Sequence, residues 1–136
     1  MVNWENSYKF GEREEKALLP ILQDYFGKDI MRSRGGRFAK YDYTDNKFNY
    51  ELKSRTNKMN QYSTTMITRN KMERNDAADK DLILLFNYTD CLAYIEYEAE
   101  QFKQYTTENF SRLGTAWDEK PHLYIPVDHL KIIKCY

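Results

Sequence analysis

The sequence contains few of the residues from which thiolate or imidazole metal sites are built. It has two cysteines, Cys91 and Cys135, and two histidines, His122 and His129, and these do not form a metal-ligand spacing pattern. The cysteines are far apart in the chain, which predicts two free thiols in a reducing compartment. We therefore expect no cysteine or histidine metal site, and we expect both histidines to be structural or surface residues.

The chain also lacks long apolar segments. Residues 1–5 are polar and do not start a signal peptide, and no apolar run approaches the length needed to span a bilayer. With 136 residues, the chain is expected to form a single domain over residues 1–136, large enough for a hydrophobic core. These features predict a soluble intracellular protein, cytoplasmic or associated with a nucleoid or a virus, with no membrane contact.

An excess of charge of one sign is absent too, because 21 basic residues balance 21 acidic ones. The distribution is nevertheless uneven. Residues 28–40 contain five basic residues and one acid, and residues 53–74 contain six basic residues and one acid. Residues 76–119 contain ten acids and three basic residues. A neutral chain with this division can still present a positive face to a phosphate backbone.

Hydrophobic periodicity predicts a mixture of helices and strands. An amphipathic helix is expected over residues 7–26, ending at Gly27, with Pro20 either kinking or restarting it. A second helix is expected over residues 60–74, although three threonines there lower its helix propensity. Strands are predicted at residues 30–33, 38–43, 48–53, 82–86, 91–97 and 122–127.

The later part of the chain is expected to add strands and one terminal turn. The continuous apolar run at residues 82–86 is typical of a strand that is covered on both faces and central in a sheet. Pro126 lies near the end of the last predicted strand and favours an edge position. Residues 98–114 are expected to be irregular with one helical segment. Asp128 is expected to cap a short terminal turn that packs the apolar residues at 130, 132 and 133.

The most informative stretch is the predicted hairpin over residues 41–53. Side chains of a strand alternate between its faces, so Glu51 and Lys53 share one face while the other face is apolar. Asp42 lies close by across the turn. A strand with an apolar back and a charged front is unusual for a purely structural strand. The alternative interpretation is an exposed sheet face with a weak cross-strand salt bridge.

Two neighbouring carboxylates and a lysine suit the hydrolysis of a phosphodiester. Mg²⁺ and Mn²⁺ prefer oxygen ligands, which Asp42 and Glu51 could supply. A bound cation neutralises phosphate charge and lowers the pKa of its water. Lys53, about 7 Å further along the same strand face, could orient or deprotonate the attacking water. Asp45 competes for the role of Asp42, and we favour Asp42 because it ends a predicted strand whereas Asp45 lies in the turn.

This order of residues resembles the PD-(D/E)xK nuclease superfamily, which includes restriction-type endonucleases and Holliday-junction resolvases. Asp42 matches the first acid of that pattern, and Glu51 and Lys53 match its (D/E)xK pair. Residues 11–15 resemble the opening of the helix that carries a glutamate in the resolvase-like branch. The likeness covers residues 10–90, and Tyr41 stands where the pattern has proline.

The resemblance implies a restriction-endonuclease-like α/β fold, with a mixed β-sheet flanked by helices, an α-β-β-β-α-β core and extra C-terminal strands. It implies a metal-dependent deoxyribonuclease, endonucleolytic or resolvase-like, that uses Mg²⁺ or Mn²⁺. DNA is the expected partner, and a homodimer is expected by analogy with the resolvases. A catalytically inactive module that keeps this fold and binds nucleic acid or a protein is the alternative.

The resemblance also assigns roles to particular residues. The metal ligands are expected to be Asp42, Glu51 and the backbone carbonyl of Leu52, and Lys53 is expected to act on the water. Glu15 is our choice for the helix acid that assists the metal. Glu12 and Glu14 lie within the same helical turn and remain open alternatives for this role.

Basic residues around the predicted site are candidates for contacts with DNA. Three arginines flank the flexible pair at residues 35–36, and Lys71 or Arg69 on the second predicted helix is expected to reach toward the site. A solvated basic turn and a solvated helix end are the respective alternatives. The candidate nucleic-acid-binding residues are Arg32, Arg34, Arg37, Arg55, Arg69 and Lys71.

Overall fold

A computed structural model describes residues 4–35, 39–76, 79–111, 114 and 119–136. Helix α1, Trp4–Phe26, corresponds to the first predicted helix and begins earlier than expected. Gly27 ends it with a φ of 140°, a value that favours glycine. The helix continues through Pro20. Proline removes the hydrogen bond to the carbonyl of Lys16, and both residues are exposed, so water can reach that carbonyl.

Six strands form the main sheet, in the order β1-β2-β3-β5-β6-β9. Neighbouring strands are antiparallel except for β3 and β5, which are parallel. The strand between β3 and β5 in the chain belongs to a second sheet. The strands of the main sheet are β1 Met31–Arg32, β2 Tyr43–Thr44, β3 Phe48–Ser54, β5 Asp81–Asn87, β6 Cys91–Glu96 and β9 Lys131–Cys135.

The predictions for this sheet were right at β3 and β5 and wrong at β2. Strand β3 follows the predicted boundaries closely, and β5 is central and almost fully buried, as its apolar run predicted. The strand predicted at 38–43 is wrong, because residues 39–42 form no strand and β2 contains only two residues. Residue 38 lies outside the described residues. Short strands of this kind depend on their partner strands more than on their own sequence.

A three-stranded second sheet replaces most of the second predicted helix. Its order is β4-β8-β7, with β4 Thr64–Thr68, β7 Thr106–Phe110 and β8 Lys120–Pro126. The helix predicted at 60–74 is therefore wrong over residues 62–69, and the helical parts there are the 3-10 turn Met59–Gln61 and α2, Asn70–Asp76. The β-branched residues of β4 favour an extended backbone. They pair with β8, whose distance along the chain hides it from a local pattern.

The C-terminal part of the chain also departs from expectation. The helical segment expected within residues 98–114 is the turn α3, Ala99–Phe102, but the strand β7 was not predicted. Strand β8 is central in the second sheet, so the edge position predicted from Pro126 is wrong. Pro126 is tolerated because it is the last residue of that strand. The predicted terminal turn is the 3-10 turn Val127–His129, but its N-cap is Pro126 and Asp128 lies inside the turn, so the cap predicted at Asp128 is wrong. Strand β9 follows the turn where no strand was predicted.

Two hydrophobic clusters lie on opposite faces of the main sheet. Alternate residues of β5 divide between them, with Leu84 and Phe86 on one side and Ile83 and Leu85 on the other. The first cluster includes residues of the second sheet, such as Ile67 and Ile125, and the second includes residues of α1. The fold is thus a mixed α/β structure of the restriction-endonuclease-like type. Among the residues that the structure describes, no helix has both the length and the apolar character needed to cross a membrane.

Candidate active site

Asp42 precedes the first residue of strand β2, so it is not part of that strand. Its Oδ2 accepts a hydrogen bond from the backbone N–H of Leu52 at 2.7 Å, and its own N–H donates to the carbonyl of Tyr50 at 2.9 Å. The N–H and carbonyl of one strand residue face the same edge, so the Leu52 carbonyl faces the edge that Asp42 occupies. The side chain of Asp42 therefore takes the place of a strand residue in pairing with β3. It lies beside Leu52, whose backbone carbonyl is the metal ligand expected from the (D/E)xK pattern.

Helix α1 supplies Glu15 to this aspartate. The two carboxyl groups share a hydrogen bond, and burial is the main cause that raises the pKa of Asp42 to about 7. Arg32 on β1 donates to Glu15 Oε2 at 3.0 Å, and the hydroxyl of Tyr43 donates to the Glu15 backbone carbonyl at 2.7 Å. Strands β1 and β2 thus fix both the backbone and the side chain of Glu15.

The other two glutamates of this helical turn have different partners. Glu12 forms an exposed ion pair with Lys16 at 3.0 Å. Glu14 accepts hydrogen bonds from the hydroxyl of Ser54 and from the side-chain amide of Asn87, the latter at 3.2 Å. Of the three candidates for the helix acid, Glu15 is the one that meets Asp42.

The polar face of β3 carries a buried carboxylate between two lysines. Glu51 is 4% exposed, and its Oε1 lies 3.4 Å from the Nζ of Lys53 and 3.2 Å from the Nζ of Lys71. Burial raises the pKa of Glu51, the charge of Asp42 raises it further, and the two lysines oppose this shift. Burial lowers the pKa of Lys53, and the charge of Lys71 adds to the decrease. Lys71 lies on α2, so this short helix closes the site.

Asp45, the rival of Asp42, performs a local structural task. Its Oδ1 accepts the backbone N–H groups of Lys47 and Phe48 at 2.8 and 2.7 Å, and its Oδ2 accepts the hydroxyl of Tyr50 at 2.6 Å. Burial alone would raise the pKa of Asp45, but these hydrogen bonds lower it. Asp45 therefore stabilises the turn between β2 and β3.

The candidate DNA-binding residues have diverse environments. Arg55 donates to Thr65 Oγ1 at 3.2 Å and to the Met66 carbonyl at 2.5 Å, and it stacks over Phe86, so it joins the two sheets. Arg34 is exposed. Arg69 is exposed too, with a long contact of 3.9 Å to an acid one helical turn on. Arg37 lies outside the described residues.

The predicted residues thus form one group of three acids and three bases, namely Glu15, Asp42, Glu51, Arg32, Lys53 and Lys71. Two contacts in and beside this group could not be specified from the sequence, because they join residues far apart in the chain: Arg32 with Glu15, and the anchoring of Glu14 by Ser54 and Asn87. The basic residue predicted to reach the site from the second helix is Lys71, whereas Arg69 lies just before α2 and has its charged group in contact with Glu73.

The donor set of the site suits a hard divalent cation. Asp42 and Glu51 offer carboxylate oxygens, and Leu52 offers a carbonyl at the same edge. The raised pKa values of Asp42 and Glu51 indicate that their negatively charged forms are destabilised here. A bound cation would offset this destabilisation. The described residues contain no group of three or more histidine, cysteine, aspartate or glutamate side chains arranged to hold a metal. Two carboxylates with a backbone carbonyl are a smaller set that needs water or substrate oxygens in addition.

Comparison with known proteins agrees with this arrangement. The model of a family described as "Phage putative PDDEXK endonuclease" matches residues 32–133, about three quarters of the chain. The matched region includes Asp42, Glu51, Lys53 and Lys71 but not Glu15. Comparisons with curated proteins and with solved structures give no match. Because the family model covers well over half of its residues, this chain belongs to the phage PDDEXK endonuclease family.

Proposed function

We propose that the protein is a deoxyribonuclease that hydrolyses phosphodiester bonds with the help of Mg²⁺ or Mn²⁺. The observation that carries the proposal is the convergence of Glu51 and Lys53 on β3 with Asp42 and Glu15, from three separate segments, at one buried site beside β3. Membership of an endonuclease family supports the same conclusion.

In this proposal Asp42, Glu51 and the carbonyl of Leu52 hold the cation. When bound, the cation neutralises charge on the scissile phosphate and makes a water molecule easier to deprotonate. Burial of the carboxylates of Asp42 and Glu51 limits the access of bulk water to them. The hydrogen bond from Leu52 fixes the position of Asp42. Glu15 then holds Asp42 from the side of α1 and is itself held by Arg32.

The lysines act on the reacting groups. The lowered pKa of Lys53 raises the fraction of its amine that is neutral, and the neutral amine accepts a proton from the attacking water. The water oxygen forms a bond to phosphorus, the bond from phosphorus to the leaving oxygen breaks, and that oxygen takes up a proton from solvent. Lys71 shares Glu51 with Lys53, and its ammonium group stabilises the negative charge that develops on the phosphate.

The direct test is a cleavage assay on single-stranded, duplex and branched DNA, and on RNA, in Mg²⁺, in Mn²⁺ and in EDTA. We expect cleavage of DNA in either metal and none in EDTA. Cleavage that persists in EDTA would contradict the metal requirement. Failure to cut any substrate, together with salt-sensitive DNA binding, would instead favour a non-catalytic binding module.

A pair of aspartate variants makes the assay specific to the proposed site. Asp42→Asn removes a proposed ligand and is expected to abolish cleavage. Asp45→Asn alters a turn three residues away and is expected to retain cleavage with a lower melting temperature, because amide and carboxylate share only part of the hydrogen bonds made there. The reverse outcome would transfer the ligand role to Asp45.

A further inference from the structure

Two thiols that the nuclease site does not use lie directly opposite each other in the main sheet. Cys91 on β6 and Cys135 on β9 are paired residues of adjacent antiparallel strands. The N–H of Tyr136 donates to the carbonyl of Asp90 at 2.9 Å, just outside the pair. A hydrogen bond in this position flanks a non-hydrogen-bonded pair of an antiparallel ladder. In such a pair the Cα atoms are about 4.5 Å apart and the two side chains share a face.

That spacing falls within the range of about 4.4–6.8 Å between the Cα atoms of disulfide-bonded cysteines. Within the described part of the chain, strand β9 is at the edge of the main sheet and pairs with β6 alone, so it can move the short distance that bond formation requires. The two cysteines are free thiols in this structure. The register that brings them together is not visible in the sequence, where two helical turns and the strands β7 and β8 lie between β6 and β9.

The surroundings of the pair give an oxidant access to it. Cys135 is exposed, and both cysteines line a surface cavity of about 270 Å³ together with Met59, Asp90 and Asp128. Cys91 is 3% exposed, and its thiol lies 3.5 Å from the sulfur of Met59. Burial raises the pKa of Cys91 to about 11, and the charges of Asp90 and Cys135 add to the shift. Cys135 is therefore the thiol that meets an oxidant first.

We propose that Cys91 and Cys135 form a redox-active dithiol site, which closes to an intramolecular disulfide on exchange with a small-molecule disulfide. The thiolate of Cys135 attacks oxidised glutathione, forms a mixed disulfide and releases one glutathione thiolate. The thiol of Cys91 then gives up its proton and displaces the second glutathione. Two protein thiols are oxidised, and one disulfide is reduced to two molecules of glutathione.

The test is incubation of the folded protein with oxidised glutathione, followed by alkylation, mass spectrometry and non-reducing electrophoresis. We expect a monomer that is 2 Da lighter, has lost both free thiols and melts several degrees higher, because the new bond restricts the unfolded chain between the two cysteines. Dithiothreitol should restore both thiols and the original melting temperature.

A matched control moves one thiol by a single residue. In the double variant Cys135→Ser with Lys134→Cys, the new thiol faces the other side of the sheet, opposite Leu92, and should not close onto Cys91. Closure as fast as in the unmodified protein would overturn the argument from register. A mixed disulfide confined to Cys135, intermolecular dimers alone, or two thiols that stay free would overturn the proposal itself. None of these readouts measures cleavage, so the result is independent of the nuclease proposal.

Discussion

The two faces of strand β3 have opposite characters although both are largely buried. One face carries Tyr50, which packs with residues of α1 in an apolar cluster. The other carries Glu51 and Lys53, whose charges are balanced by one another, by Lys71 and by Asp42. The apolar face gains stability by burial, whereas the polar face holds a carboxylate with a raised pKa and a lysine with a lowered one. Alternation along seven residues thus places a scaffold and a reactive site back to back.

The comparison is tested first by removing the lysine of the polar face. Lys53→Ala is expected to lower the cleavage rate by about 10³-fold, roughly 4 kcal/mol of activation free energy, because no other group takes the proton. DNA binding and the melting temperature should change little. Rates can be measured in single turnover and affinities by fluorescence anisotropy in Ca²⁺. Lys47→Ala, on the exposed turn of the same hairpin, is the control, and full activity of Lys53→Ala would exclude the proposed mechanism.

The opposite face should respond in stability instead. Tyr50→Ala removes a fully buried ring and the hydrogen bond to Asp45, and is expected to cost about 3–4 kcal/mol of unfolding free energy. Urea denaturation measures this loss. Tyr50→Phe keeps the ring and should lose only about 1 kcal/mol. Poor cleavage by the folded fraction of Tyr50→Ala, with normal cleavage by Tyr50→Phe, would remain compatible with separate roles for the two faces of β3. The reason is that the Tyr50 ring supports the backbone of Glu51. Poor cleavage by Tyr50→Phe would contradict it.

Removing the second lysine of the polar face should have an intermediate effect. Lys71→Ala leaves Lys53 as the remaining lysine partner of Glu51, and we expect cleavage to fall about 10- to 100-fold, equivalent to about 1.4–2.7 kcal/mol. Lys71→Arg should restore part of the rate, because a positive charge returns. The neighbouring exposed residue Arg74 provides a control through Arg74→Ala. Unchanged cleavage by Lys71→Ala would assign Lys71 a purely structural contact with Glu51.

The smallest expected effect is a gain in stability on removal of a proposed metal ligand. The pKa of Asp42 is about 7 in the folded protein, above its ordinary value of 3.8. Between these two pH values the unfolded chain has lost a proton that the folded protein retains, so stability decreases as pH rises through this window. In EDTA, Asp42→Asn should match the unmodified protein near pH 4 and exceed it by on the order of 1 kcal/mol at pH 7–8.

Thermal melting across pH measures this difference directly. Addition of Mg²⁺ should raise the melting temperature of the unmodified protein at pH 7.5 and leave Asp42→Asn nearly unchanged. A difference between the two proteins that is constant with pH would show that Asp42 does not titrate in this range.

The sequence predicted the parts of the molecule that are determined locally. The alternation in β3, the stop at Gly27 and the apolar run of β5 each contain their own signal, and all three predictions are confirmed by the structure. The helix predicted across Thr64–Thr68 failed because those residues find a partner in β8, which is far away in the chain. The edge position assigned to β8 failed because β7 was not predicted to be a strand.

The same distinction applies to the site. Glu51 and Lys53 follow from strand geometry alone. Asp42 was preferred because it ended a predicted strand, and that reason is wrong because residues 39–42 form no strand, although Asp42 does lie beside Leu52. The choice of Glu15 over Glu14 and of Lys71 over Arg69 depends on how α1 and α2 pack, which periodicity cannot resolve within one helical turn. Arg55 was expected to contact DNA from its position after Lys53, yet its guanidinium group is occupied by the second sheet. Their catalytic and binding roles stay predictions that the proposed variants test.

The guanidinium group of Arg55 has a consequence for how the molecule opens. It is a polar bridge from the end of β3 to Thr65 and Met66 on β4, placed over the ring of Phe86. Strand β7 is exposed along its whole length, so the second sheet has little buried surface on that side. Its backbone amides should therefore exchange with deuterium through partial openings that leave the main sheet intact. The contacts of Arg55 with β4 would contribute to the free energy of those openings. Because β4 leads into α2, which carries Lys71, the same contacts would affect how long Lys71 remains beside Glu51.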